Sequence, residues 1–138
     1  MNGWKSKRLN KRLAVVKVAN ESIEIQLARI LNEYSEEVKE VMFEVAEEVA
    51  NEGAKELQET SPKNRGKYRK GWGVEKETDG KGTAFIIRNK KYYNLTHLLE
   101  KGHALKNGGR ARAFPHIAPV EQKAIKAYED KLARRLGQ

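Results

Sequence analysis

The chain has 138 residues, the length of one ordinary domain; 34% are charged and 38% are AVILMFWYC, which allows a modest core. No run approaches the roughly 18–20 uncharged apolar residues of a transmembrane helix, and no signal-peptide-like apolar stretch follows the basic N-terminus, so a soluble cytoplasmic product is expected. With no cysteine, disulfides, thiolate metal sites and cysteine nucleophiles are excluded.

Net charge is +9, and it is unevenly placed. Residues 1–20 hold six bases and no acid; residues 21–59 hold three bases and twelve acids; residues 60–116 hold fourteen bases and four acids. A basic surface of this kind can follow a phosphate backbone through counterion release. Alternatively, acidic and basic faces can meet between copies of the chain, or simply keep it in solution.

In chain order, residues 1–12 lack any amphipathic period and read as a basic arm. The expected organisation is an arm over 1–20 and a single domain over 21–138. Leu13 to Val18 is a short β-branched run that suits either a strand or the approach to a helix. From Ile23 to Leu57 the positions Leu27, Leu31, Tyr34, Val38, Val41, Val45 and Val49 recur at spacings of three and four, which predicts a long amphipathic helix. Ser35, followed by Glu36 and Glu37, is a cap signal, so a break near Asn32–Ser35 is also expected. Unbroken, 35 residues at ~1.5 Å each would span roughly 50 Å and overhang a globule of this size. Thr60-Ser61-Pro62 ends the helix.

Tyr68 to Thr78 and Thr83 to Asn89 read as strands joined by Asp79-Gly80-Lys81-Gly82, a β-hairpin. Tyr92 to Glu100 is expected to be a short helix closed by Gly102. Residues 103–116 form an Arg-dense loop with a Gly108-Gly109 tip. Ile117 to Leu136 is the final helix, with Pro119 in its first turn and Arg134 and Arg135 in its last.

Three histidines, His97, His103 and His116, fall within twenty residues. Their spacing does not match H-E-x-x-H, and Gly102 interrupts the helix on which a pair would sit, so no metal or cofactor is expected. General acid–base cleavage of RNA is the reaction such a His/Arg-rich loop would suit, but no paired carboxylates or activated nucleophile stand beside it. Gly80-Lys81-Gly82 is not a P-loop. Lys106, Arg110 and Arg112 are candidate contacts for phosphates or for an acidic partner. A basic nucleic-acid-binding module is therefore the alternative function.

Two separated stretches carry a resemblance. The segment Ser61-Pro62-Lys63-Asn64-Arg65-Gly66-Lys67-Tyr68-Arg69-Lys70-Gly71-Trp72 resembles a motif that follows the long helix in a family of tailed-phage structural proteins. Tyr93 to His103, then Asn107 to Arg110 and Pro115 to Glu121, resemble that family's second signature. The chain is thus similar, over about residues 20–136, to the minor tail component or tail-completion group, related in role to lambda minor tail protein Z. Arg65 departs from the Thr common before that Gly.

The resemblance implies a non-enzymatic virion protein of the phage neck and tail, present in the bacterial cytoplasm during assembly. It also implies an α+β fold: a long helix on a small antiparallel sheet, a short helix and a C-terminal helix. The implied partners are copies of itself in a ring, hexameric in the virion, and connector, tail-terminator or tail-tube proteins, with nonspecific DNA contact and no membrane. On this view Gly66 and Gly102 give backbone freedom, Pro62 and Pro119 punctuate helices, and Trp72 anchors sheet to helix. Tyr68, Arg110 and Pro115 complete the motifs. His97, Glu100, His103 and His116 would fix the Arg-rich loop by hydrogen bonds.

Overall fold

The computed structural model describes residues 14–19, 22–28, 33–62, 66–80 and 82–137. The basic arm 1–12 lies outside the described residues. The fold is α+β: two long helices on one face of a four-stranded antiparallel sheet. In chain order the elements are β1 (Ala14–Ala19), β2 (Ser22–Ala28), α1 (Glu36–Thr60), α2 (Lys67–Lys70), β3 (Trp72–Asp79) and β4 (Gly82–Asn89). A 3₁₀ turn (Tyr93–Leu95), α3 (Thr96–Lys101), the small hairpin β5 (His103–Ala104) and β6 (Arg110–Ala111), and α4 (Ile117–Leu136) follow.

The strand order is β1-β2-β4-β3, so β4 is inserted between β2 and β3 after the chain has crossed the sheet through α1. Register places Ile23, Ile25 and Leu27 of β2 beside Ile87, Phe85 and Thr83 of β4, and Val74 of β3 beside Ile87. These positions alternate, and the face they form is the buried one. The opposite face carries Lys17, Glu24, Gln26, Glu75, Glu77 and Arg88, with Ile86 buried between the flanking Glu24 and Glu75.

The long helix starts at Glu36, not at Ile23, which corrects the expected helical run from Ile23 to Ala28. That stretch is β2. Ile23, Leu27 and Leu31 fit a helical spacing, but Ile23, Ile25 and Leu27 equally fit a strand, and pairing on both sides with β1 and β4 decides it. Ser35 does cap α1, its hydroxyl accepting from the Val38 N–H at 3.3 Å, with Glu36 and Glu37 in the positive first turn. At 25 residues α1 is roughly 37 Å long, close to the diameter of the globule, so the expected overhang disappears. Tyr68 also lies outside a strand: Lys67–Lys70 form one helical turn, and β3 begins at Trp72.

The buried face of α1 is Met42, Val45, Ala46, Val49, Ala50, Gly53, Ala54 and Leu57, a repeat of three and one that makes a single stripe. Small residues along it let the helix sit close to its neighbours. A Cβ on Gly53 would stand 2.7 Å from Ile87 Cδ1, so alanine there would require the end of the Ile87 side chain to move aside. Against α1 lies α4, contributing Ile117, Val120, Ala124, Tyr128 and Leu132.

The two helices run antiparallel, as their ion pairs show. Lys123 meets Glu56 at 3.1 Å, Lys131 meets Glu48 at 2.8 Å and Glu52 at 3.4 Å, and Arg135 meets Glu44 at 2.9 Å. Part of the acidic face of α1 is therefore matched within the chain, by α4 and not by the strongly basic segment 60–116.

Candidate functional site

The two motifs meet where α1 ends. Ser61 closes that helix, its backbone N–H returning to the Leu57 carbonyl at 3.0 Å and its hydroxyl donating to the same carbonyl. The Ser61 hydroxyl also accepts from the Trp72 indole N–H at 2.8 Å, and the Ser61 carbonyl accepts from Arg69 Nε at 2.6 Å. Gln58 on the last turn of α1 donates to the Trp72 carbonyl at 2.9 Å. Trp72, Tyr68 and His116 stack edge to face with centroids 5.6–6.2 Å apart, the offset geometry aromatic rings prefer.

From the second motif, His116 enters this cluster 4% exposed. Its Nδ1 faces two acceptors, the Phe114 carbonyl at 2.6 Å and Glu100 Oε1 at 2.9 Å, so that nitrogen carries the hydrogen. Nε2 then accepts from the Tyr68 hydroxyl at 2.8 Å. Tyrosine, histidine and glutamate in line resemble a proton relay. Here every member is engaged by the protein's own groups, and Tyr68 is 1% exposed.

Glu100 has the widest reach. Its carboxylate accepts from the backbone N–H groups of His116 at 2.7 Å, Ile117 at 2.8 Å and Ala118 at 3.0 Å. A helix leaves its first four N–H groups without intrahelical acceptors. Three are taken by Glu100, and the fourth position is Pro119, which has none. A residue on α3 thus caps α4, placing negative charge on its positive end.

Around this node further residues fix the backbone. Asn89, fully buried at the end of β4, donates to the Tyr68 carbonyl at 2.7 Å and accepts from the Tyr92 N–H at 3.0 Å. Gly66 sits at φ +79° ahead of α2, and Pro62 is half-buried after the α1 cap. Gly102 turns the chain out of α3 at φ +73°, and a Cβ there would lie 2.5 Å from the Ala111 carbonyl oxygen. The pair β5 and β6 departs from this point, with Phe114 N–H tied to the Leu99 carbonyl at 2.7 Å.

The segment expected to be an Arg-dense loop is therefore a short hairpin on a rigid base. Its tip closes by Leu105 N–H to the Gly109 carbonyl at 2.8 Å and Gly108 N–H to the Leu105 carbonyl at 3.1 Å. Lys106, Arg110, Arg112 and Pro115 are exposed, and so are three large apolar side chains nearby: Tyr93 at 62%, Phe114 at 46% and Leu105 at 40%. The Arg112 guanidinium lies 5.6 Å from the Phe114 ring.

The three histidines end in different settings. His116 is enclosed in the node, His97 is exposed on α3, and His103 is half-buried in β5 with Nδ1 lacking a hydrogen-bond partner among the described residues. Among the described residues no group of three or more His, Asp or Glu side chains is arranged to hold a metal ion. Among the described residues, too, no helix is long and apolar enough to cross a membrane. Elsewhere the Tyr128 hydroxyl is buried without a partner among the described residues, and burial pushes its ionisation well above the ordinary tyrosine range.

The polar anchors Ser61, Asn89 and Arg69 were not singled out by sequence reasoning. Ser61 stood inside the first motif as the residue before Pro62, the only available signal. Asn89 had none, since a polar residue at a strand end normally faces water.

No curated protein and no solved structure matches the chain. The sequence profile of the family described as "Bacteriophage HK97-gp10, putative tail-component" matches residues 25–102. That span runs from β2 through α3 to Gly102 and leaves the hairpin and α4 beyond it. Covering more than half of the chain and holding the first motif together with Glu100, the match shows that this protein belongs to the HK97-gp10-like family of phage tail components.

Proposed function

We propose that this tail component acts at the head–tail joint of a tailed phage or prophage, completing the tail by assembling as a ring of like subunits. Its place would be the virion neck, with the host cytoplasm as the site of assembly. Connector, tail-terminator or tail-tube proteins would be its neighbours. The reading is structural and non-enzymatic: the imidazole, phenol and carboxylate of the node are engaged in intrachain hydrogen bonds, which suits a structural role for them.

The observation that carries it is the hairpin of residues 103–111 with its flank to Phe114. It presents Lys106, Arg110 and Arg112 beside exposed Leu105 and Phe114 on a base fixed by Gly102 and Glu100. Exposed aromatic and aliphatic groups rimmed by charge mark a protein contact surface. Motif residues Pro62, Gly66, Tyr68, Trp72, Gly102 and Pro119 would serve as the scaffold that aims this surface.

Light scattering on the purified chain, alone and mixed with the tail-tube and connector proteins of the same phage, tests the proposal. Assembly in at least one of these is expected. A monomer under every condition would overturn the reading.

A further inference from the structure

We infer that the β5–β6 hairpin of one copy docks on the acidic first half of α1 in the next copy, giving a head-to-tail contact. The inference rests on the ring reading above and names the two surfaces that would form it.

Three observations lead there. The first is what remains after intrachain pairing. Along α1, Glu44, Glu48, Glu52 and Glu56 are matched by α4, and Glu36 by Lys39 at 3.0 Å. Glu37, Glu40 and Glu47 are exposed and make no ion pair among the described residues, and Tyr34 beside them is 37% exposed. On the hairpin, Lys106 and Arg110 are likewise exposed and make no ion pair among the described residues. Opposite charge and apolar groups thus stand unmatched on two surfaces of one chain, the complementarity that selects partner and register.

The second is where those surfaces lie. The hairpin rises from Gly102 and Ala111, beside the start of α4 and the end of α1, because Glu100 caps α4 and α4 runs antiparallel to α1. Glu37 and Glu40 lie at the other end of α1. From Glu37 to Ser61 the helix spans roughly 36 Å. From Gly102 to the Gly108 tip the chain reaches at most about 21 Å even fully extended. The hairpin therefore falls short of the acidic end of its own chain.

The third follows from symmetry. A contact between two different patches at opposite ends of a subunit is heterologous; repeated, it closes into a ring or grows as a filament, and it does not stop at a two-fold dimer. Leu105 and Phe114 would supply the desolvated centre, and Arg110, Lys106 and the glutamates the rim.

Paired charge reversal tests the contact by sedimentation velocity, under the condition in which the wild-type chain assembles. Lys106→Glu with Arg110→Glu is expected to raise the half-assembly concentration on the order of 100-fold, and Glu37→Lys with Glu40→Lys to do the same. All four changes in one chain are expected to restore assembly to within about tenfold of wild type. All of these side chains are exposed, and circular dichroism on each variant verifies the fold. If the wild type assembles and the reversals leave it unchanged, or the fourfold variant stays dissociated, this contact is wrong while the ring survives. If the wild type never assembles, alone or with its neighbours, the ring reading itself fails.

Discussion

The two ends of α1 are treated differently by the rest of the chain. At its C-terminal end every polar atom of Ser61 is engaged, an indole, a guanidinium and a second motif close over it, and Glu100 stitches α4 to the same place. At its N-terminal end the cap is a single Ser35 hydroxyl, and Glu37 and Glu40 face water without ion-pair partners among the described residues. One end is closed over by the chain's own groups; the other is exposed. Residues that recur in a motif need not touch anything outside the chain, and here most of them converge on the closed end.

The sharpest way to break this comparison is Glu100→Ala. Three helix N–H groups would lose their acceptor, and the His116 ring would lose a neighbour, at an expected cost of about 3 kcal/mol, read as a lower urea midpoint. Glu100→Gln keeps an acceptor oxygen and should cost about half as much. A change in either variant below ~0.5 kcal/mol would mean that the closed end is not what stabilises the domain.

Tyr68→Phe removes one hydroxyl and leaves His116 Nε2 without its donor, so a loss of about 1–2 kcal/mol is expected in the same measurement. Tyr128→Phe should act in the opposite direction. Its hydroxyl is buried without a partner among the described residues, and deleting it is expected to raise stability by up to ~1 kcal/mol in thermal unfolding.

The smallest effect belongs to the exposed ladder between α1 and α4. The hydrogen bond from Lys131, with its charge, holds the Glu48 carboxyl below the ordinary glutamate range, and the same bond raises Lys131. A carboxyl whose folded value is depressed contributes fully above its unfolded value, about 4.3, and loses that contribution as pH falls through the lowered value. For Lys131 the contribution is complete below its unfolded value and is lost only as pH rises through the raised one. Glu48→Gln should therefore lower the midpoint slightly at neutral pH and low salt, and leave it unchanged near pH 2 or in 1 M salt.

Much of the fold was legible locally. Ser35 announced the start of α1, Asp79 to Gly82 the β3–β4 turn, and Pro119 the first turn of α4, because caps and turns are chosen by residues within a few positions of themselves. The reading failed where local signals were even. Ser22–Ala28 satisfies two periods, and only the strands on either side choose between them. In the node, Glu100 was expected to help fix the Arg-rich loop, yet its hydrogen bonds go to the start of α4, 16–18 positions later. Nothing in a helical spacing predicts that.

By itself the sequence determined the start of α1, the final helix, the β3–β4 turn and the segregation of charge, since each follows from neighbours along the chain, while the α+β class came with the family resemblance. Tertiary structure decided which charges are consumed. Antiparallel packing of α4 on α1 takes four of the glutamates, and Glu100 takes the start of α4. What is left exposed is a remainder, and a remainder is defined only after elements distant in sequence have found each other.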